Sequence, residues 1–272
     1  MFRQCRALGL EYLSVFGMPL AEYAEMAARI GCTFISLNYG GAANRLDERD
    51  ARTLRESVSL RHELAAAVAA QDLRIELVEG FAITPELSVE KYASDLDAVA
   101  KLGARSICAV SLDKELARTN DQFAALAAMG QSRGLAVTTE VGAGVIRNFD
   151  VACRAWEQVA HQNFSLLIDT MHFFRRGANV EDLAAIPTET IGHVQLCDVP
   201  MPSQMQDYLE EALFERRAPG DGDLPLSDFL ARVPTGVPIG LEIPVRSARD
   251  AGLTAESVLR SSLLAVEAML QV

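Results

Sequence analysis

Leu135-Ala136-Val137-Thr138-Thr139-Glu140-Val141 and Phe164-Ser165-Leu166-Leu167-Ile168-Asp169 are two short apolar, β-branched runs that each end on or beside a single acid. Runs of this length without helical periodicity read as strands buried on both faces. Between them lies an amphipathic stretch, 149–161, long enough for a crossover helix. Outward from this pair the same alternation repeats along the chain. Strand-like runs fall at 7–14, 32–37, 73–78, 104–110, 135–141, 164–169, 190–196 and 237–243, and helix-like stretches at 20–30, 50–70, 89–102, 121–133, 149–161 and 251–270. Gly31, Gly103 and Gly134 stand where helices should end, and Asn148 or Asp150 where the fifth should begin. Eight βα units predict an α/β fold, a single (β/α)8 barrel spanning 1–272. A doubly wound sheet is the rival, but no GxGxxG follows the first strand, and one switch point would not collect groups from successive strands.

The composition agrees with one cytoplasmic enzyme domain. The chain has 272 residues, half of them hydrophobic, and a formal charge of −12, which opposes binding to a nucleic-acid backbone. The five cysteines, Cys5, Cys32, Cys108, Cys153 and Cys197, are scattered and form no CxxC, as expected of buried thiols in a reducing compartment. Arg3 and Arg6 faintly imitate a signal peptide, but Glu11 interrupts the apolar stretch after them. No run is long enough to span a bilayer. The expected partner is therefore a small-molecule substrate, with no nucleic acid and no membrane, and with room for a homo-oligomer.

Glu140, Asp169, Gln195 and Glu242 each close a strand-like run and lie 29, 26 and 47 residues apart. In a parallel barrel, the C-terminal ends of the strands converge on one mouth, where loops carry the chemistry. One acid at a strand end is ordinary and usually solvated. Three carboxylates and an amide oxygen on consecutive strands would instead gather around a divalent cation, since buried unpaired charges cost several kcal/mol each. The widest interval contains the least regular segment, 199–224, with Pro200, Pro202 and Pro219 and the run Arg216-Arg217-Ala218-Pro219-Gly220-Asp221-Gly222-Asp223. It follows the seventh strand, where a long loop is a lid, a substrate clamp or a tolerated insertion.

Thr138-Thr139-Glu140, the Asp169-to-His172 spacing, His193-Val194-Gln195-Leu196-Cys197-Asp198, the Arg216-to-Asp223 run and Gly240-Leu241-Glu242 together resemble the xylose isomerase-like TIM-barrel family of sugar phosphate isomerases and epimerases. The resemblance covers nearly the whole chain. It implies one divalent metal held by Glu140, Asp169, Gln195 and Glu242, with Glu140 and Glu242 as catalytic residues flanking the reacting carbon. It further implies substrate contacts from His172 and, from the long loop, Arg216, with Arg217 as the alternative. Glutamine at 195 departs from the histidine of many members and matches the hydroxypyruvate-isomerase branch. Oxygen-only ligation favours Mn²⁺ or Mg²⁺ over Zn²⁺. The expected reaction is isomerisation or epimerisation of a small sugar, ketose or hydroxy-carbonyl compound, by proton abstraction next to a carbonyl through a metal-stabilised enediolate. Dehydration of a cyclic polyol or keto acid stays open, as does a non-catalytic ligand-binding barrel. With no convincing phosphate cradle, the substrate is not assumed to be phosphorylated.

Other positions are weaker candidates. Glu79 shares strand parity with Leu73, Ile75 and Leu77, so it is expected to reach the mouth from the end of the third strand and bind a substrate hydroxyl. Asn38, at the end of the second, is a lesser candidate. His193 faces as Gln195 does but one layer deeper, as a hydrogen-bonded core histidine would. His62 and His161 fall on outer helices, and so few histidines argue against a three-zinc endonuclease site. Trp156 fits helix packing better than sugar stacking.

Overall fold

In a computed structural model that describes residues 6–271, eight parallel strands close into one barrel in sequence order. They are β1 (Leu8–Leu10), β2 (Phe34–Asn38), β3 (Arg74–Ile83), β4 (Ser106–Ser111), β5 (Ala136–Glu140), β6 (Phe164–Asp169), β7 (Ile191–Leu196) and β8 (Ile239–Leu241). Cys5 and Arg3 lie outside the described residues; of the other thiols, Cys32, Cys108 and Cys197 are buried and Cys153 is partly so. Among the described residues, no helix is long and apolar enough to cross a membrane.

Helices cover the outside of the barrel because each carries one apolar stripe. In Leu20–Ile30 that stripe is Leu20, Tyr23, Ala24, Ala27 and Ile30, all buried at helical spacing. Gly31 ends this helix at φ 101°, a left-handed conformation that costs a side-chain-bearing residue about 1–2 kcal/mol, and Gly103 and Gly134 take the same role. Asn148 caps helix Phe149–Val159 by accepting from the Val151 amide at 3.0 Å. Trp156 packs against the core from this helix.

The barrel interior is filled with side chains. Leu77, Cys108 and Leu167 form a buried cluster separate from the barrel–helix layer. Phe34 meets the His193 ring edge-on at 5.9 Å. Gly9 makes room for Phe34, whose ring would lie 2.4 Å from a Cβ at that position.

Several element boundaries differ from expectation, and some bear on the site. The first strand stops at Leu10 rather than Ser14, because the chain turns into a short 3-10 helix at Tyr12–Val15. That places Glu11 at the mouth. The third strand runs on to Ile83, so Glu79 lies within it, beside a register irregularity against β4. The second large helix begins only at Val58, capped by Ser57, because residues 47–52 fold into local Asp–Arg pairs, Asp47 with Arg49 and Asp50 with Arg52. The segment after β7 is more ordered than its prolines suggest, with a helix at Tyr208–Phe214 capped by Asp207. The Asp198 carboxylate accepts from the amides of Val199, Gly220 and Leu224, folding the 216–223 run back onto the end of β7. Backbone bridges Asp198–Arg217 and Glu215–Val245 hold this strap across the mouth.

Candidate active site

Register sets the height of each functional side chain. Asp169 is level with Gln195 across β6 and β7, Gln195 with Gly240 across β7 and β8, and Glu242 follows β8 directly. Side chains two apart on a strand share a face, so Leu167 lies inside the barrel and Asp169 opens onto its mouth. Three strand ends thus present oxygen atoms to one space, joined by Glu140 from β5 and Glu79 from β3.

Five carboxylates meet there in two groups. Oxygens of Glu140 and Asp169 lie with a His172 ring nitrogen within 4.8 Å of one another, and oxygens of Glu11, Glu79 and Glu242 form a second group of the same size. Arg216 stands between the groups. It is only 2% exposed, its Nη1 donates to Asp169 Oδ2 and to Glu242 Oε2 (2.7 Å), and its Nε donates to the Ala212 carbonyl at 2.8 Å. Arg217, one residue on, is exposed on the far side of the strap and donates to Gln204 and to the Asp221 carbonyl. Strand-like alternation at the Asp198–Arg217 bridge explains why neighbouring arginines face opposite ways.

Asp169 uses both oxygens: Oδ1 accepts from the His172 amide at 2.9 Å, capping helix Thr170–Arg175, and Oδ2 takes Arg216. His172 therefore lies in the first turn of that helix, and its ring bridges Glu140 (Nε2, 3.2 Å) and the Tyr208 hydroxyl on the strap. Arg175, from the same helix, grips Glu211 of the strap through two hydrogen bonds, at 2.7 and 3.1 Å. His172 and Arg175 thus latch the strap. A cavity of about 930 Å³ lies on its outer side, toward helix Ala255–Leu270, lined by Glu211, Arg216 and Arg217 of the strap but by none of the five carboxylates at the mouth. The close-packed carboxylates are the better guide to the site.

The strand-end rule does not single out Glu11, because the first strand reads as continuing to Ser14. It is fully buried, and its Oε1 accepts from His193 Nε2 at 2.8 Å. A Cβ on Gly240 would fall 1.6 Å from that oxygen, so glycine at 240 is what lets Glu11 cross β8. Tyr208 carries no sequence signal at all, since it sits in an irregular stretch with no periodicity to orient it. Asn38 uses its amide oxygen on the Gly40 backbone, as a turn residue does.

With one guanidinium against five carboxylates, the charge is unbalanced, and protons make up part of the difference. Burial, reinforced by Glu11 and Glu140, pushes Glu79 up to about 8. Burial also drives Glu242 well above the carboxylate range; Arg216 opposes this, while Asp169 and Glu79 add to it. At Asp169 burial pushes the same way, but Arg216 and His172 outweigh it and hold the carboxyl down to about 2.

The Glu79 shift has a stability consequence. A carboxyl raised above its ordinary 4.5 favours folding fully below that pH, and the benefit declines as pH rises toward about 8. Glu79→Gln removes the charged form. Without divalent cations, the variant is expected to match wild type near pH 4.5. At alkaline pH it should exceed it by on the order of 2–4 kcal/mol, several degrees in thermal melts. Equal melting temperatures at both pH values would refute this account.

The model of the family described as xylose isomerase-like TIM barrel matches residues 23–264. No curated protein is a significant match. Among solved structures, the chain is similar to a xylose isomerase-like TIM barrel/4-hydroxyphenylpyruvate dioxygenase fusion protein (TM-score 0.78, 17% identity, 95% of this chain). It spans 42% of that protein's length. It is also similar to the IOLI protein with a binding zinc atom (TM-score 0.77, 18% identity, 97% of each chain). A third is D-psicose 3-epimerase with D-tagatose from Clostridium cellulolyticum H10 (TM-score 0.73, 15% identity, 97% of this chain and 99% of that one). At such identities these likenesses speak to the fold alone; neighbours sharing it include further epimerases and a dehydratase.

Proposed function

We propose, from the premise that this chain belongs to the xylose isomerase-like TIM-barrel family, that it is a divalent-metal-dependent isomerase or epimerase. Its substrate is a small sugar, ketose or hydroxy-carbonyl compound. The observation that carries this is five carboxylates at one mouth in two groups, with Arg216 between them as their one guanidinium among the described residues and Gln195 against Glu11 and Glu79. A cluster so negative is stabilised by a cation. The donors suit a hard one: carboxylate oxygens, together with Gln195 Oε1, which is buried and has no hydrogen-bond partner among the described residues. Glu140, Asp169, Gln195 and Glu242 would hold it, and Mn²⁺ or Mg²⁺ fits such oxygens better than Zn²⁺.

A cation bound there would supply Lewis-acid polarisation of a substrate carbonyl. The protein's own groups move the protons. Glu140 and Glu242 come from β5 and β8, three strands apart round the barrel, so they approach a substrate from different sides. One removes the proton from the carbon next to the carbonyl. Its return at the adjacent carbon gives isomerisation, and delivery by the other glutamate to the opposite face gives epimerisation. His172 orients Glu140, and the strap shields the site through Tyr208. Burial favours the protonated form of Glu79, which would donate to a departing β-hydroxyl, and this favours dehydration as the second reading.

Purified protein is expected to retain about one equivalent of divalent metal by elemental analysis. Ketoses, hydroxy acids and cyclic polyols incubated with it and Mn²⁺ in D₂O should include one that gains deuterium on a carbon next to its carbonyl. Loss of water without labelled substrate supports the dehydratase. Neither metal uptake nor any turnover would leave a binding barrel.

A further inference from the structure

We propose that Glu11 is a positioning residue that fixes which end of the Gln195 amide the site can use. The inference rests on the cation-binding function proposed above, and concerns a residue outside its ligand set.

A glutamine side chain has two unlike ends, an oxygen that accepts and an NH₂ that donates twice. Gln195 Nε2 donates to Glu11 Oε2 at 3.3 Å and to Glu79 Oε1 at 3.2 Å, which uses both of its hydrogens. Turned over, the amide would set its oxygen against carboxylate oxygens at the same distances. Glu79 is only partly buried, whereas Glu11 is fully buried and fixed in place. His193 holds its other oxygen, its backbone amide donates to the Leu241 carbonyl at 3.0 Å, and its side chain lies against Gly240 with no exposure to solvent. The result is a Gln195 Oε1 that is buried and free, with its donors turned away. Histidine at this position would present a ring nitrogen of its own; glutamine needs a neighbour to decide its orientation.

The test is Mn²⁺ binding by calorimetry to wild type, E11Q and the exchanged pair E11Q/Q195E. In E11Q, residue 11 can accept or donate, so the 195 amide loses its preference; affinity is expected to fall about 10–100-fold, as when a ligand's supporting partner is removed. In the exchanged pair the total charge is that of wild type, both ends of residue 195 are oxygens, and the new amide at position 11 can donate to it. Binding is expected to recover. Loss in E11Q with recovery in the pair supports orientation by Glu11. Loss in both variants overturns it, because charge at position 11 would then be what matters, and so does unchanged affinity in E11Q. Wild type that binds no Mn²⁺ overturns the cation site itself, a distinct outcome. Should E11Q not fold, NMR of ¹⁵N-glutamine-labelled wild type decides: two Gln195 side-chain protons protected from solvent, with and without Mg²⁺, support the proposal, and rapid exchange of either refutes it.

Discussion

Arg216→Met is expected to lower the stability of the metal-free protein by about 3–5 kcal/mol, the usual cost of removing one member of a buried charged network, and to depress the melting temperature by about 10 °C. The guanidinium lies between Asp169 and Glu242, nearly out of contact with water, and methionine fills much of its volume without its charge. Two acids then face each other with no permanent positive charge between them. The pH dependence follows. Asp169, lowered from 3.8 to about 2, adds about 2 kcal/mol of stability above pH 4, lost as pH falls through about 2. Without Arg216 that acid-side contribution disappears. If these carboxylates also bind a divalent cation, adding it at about a thousand times its dissociation constant restores about 4 kcal/mol. Differential scanning calorimetry with and without Mn²⁺ reads both effects. A variant that melts with wild type would show that the guanidinium does not neutralise the site, and a destabilised one indifferent to Mn²⁺ would argue against a cation at these carboxylates.

Whichever of Glu140→Gln and Glu242→Gln removes the abstracting base should slow deuterium exchange into substrate by about 10²–10⁴-fold, the contribution of a positioned proton-transfer group. The substitution keeps size and the ability to accept from His172 or Arg216, so folding should be little changed while the base is lost. The two variants also separate the reactions. An epimerase needs one base on each face, so both variants lose product formation, and the one that keeps the abstracting base still washes deuterium into unreacted substrate. An isomerase that shuttles its proton through one carboxylate tolerates the other substitution better. Mass spectrometry of recovered substrate and product distinguishes these cases, and full exchange in both variants would exclude the two glutamates as the bases.

Much of the site is legible without the fold, because a strand that ends in an acid is visible in one dimension. Glu140, Asp169 and Glu242 follow that rule, and parity alone aims Glu79 at the mouth. The same rule fails at Glu11 only because the first strand is shorter than it reads: an apolar Tyr12-Leu13 beyond the acid resembles more strand, and nothing local announces a 3-10 turn. Arg216 and Arg217 are indistinguishable in the sequence for a related reason. Which of two adjacent side chains faces inward depends on the bridge to Asp198, a contact made across the mouth.

Alternation of apolar runs with amphipathic ones determined a parallel α/β fold, and polar groups at the ends of successive strands, with no GxGxxG after the first, selected the barrel over a doubly wound sheet. It also determined that oxygen donors stand at several strand ends. Only the tertiary structure decided how their charges are shared: the guanidinium between Asp169 and Glu242, the carboxylate that crosses Gly240 from the neighbouring strand, and the orientation of one amide. Electrostatic energy depends on separations of a few ångströms between residues as far apart in the chain as 11 and 242, and distances of that kind are set by closure of the sheet rather than by any stretch of sequence.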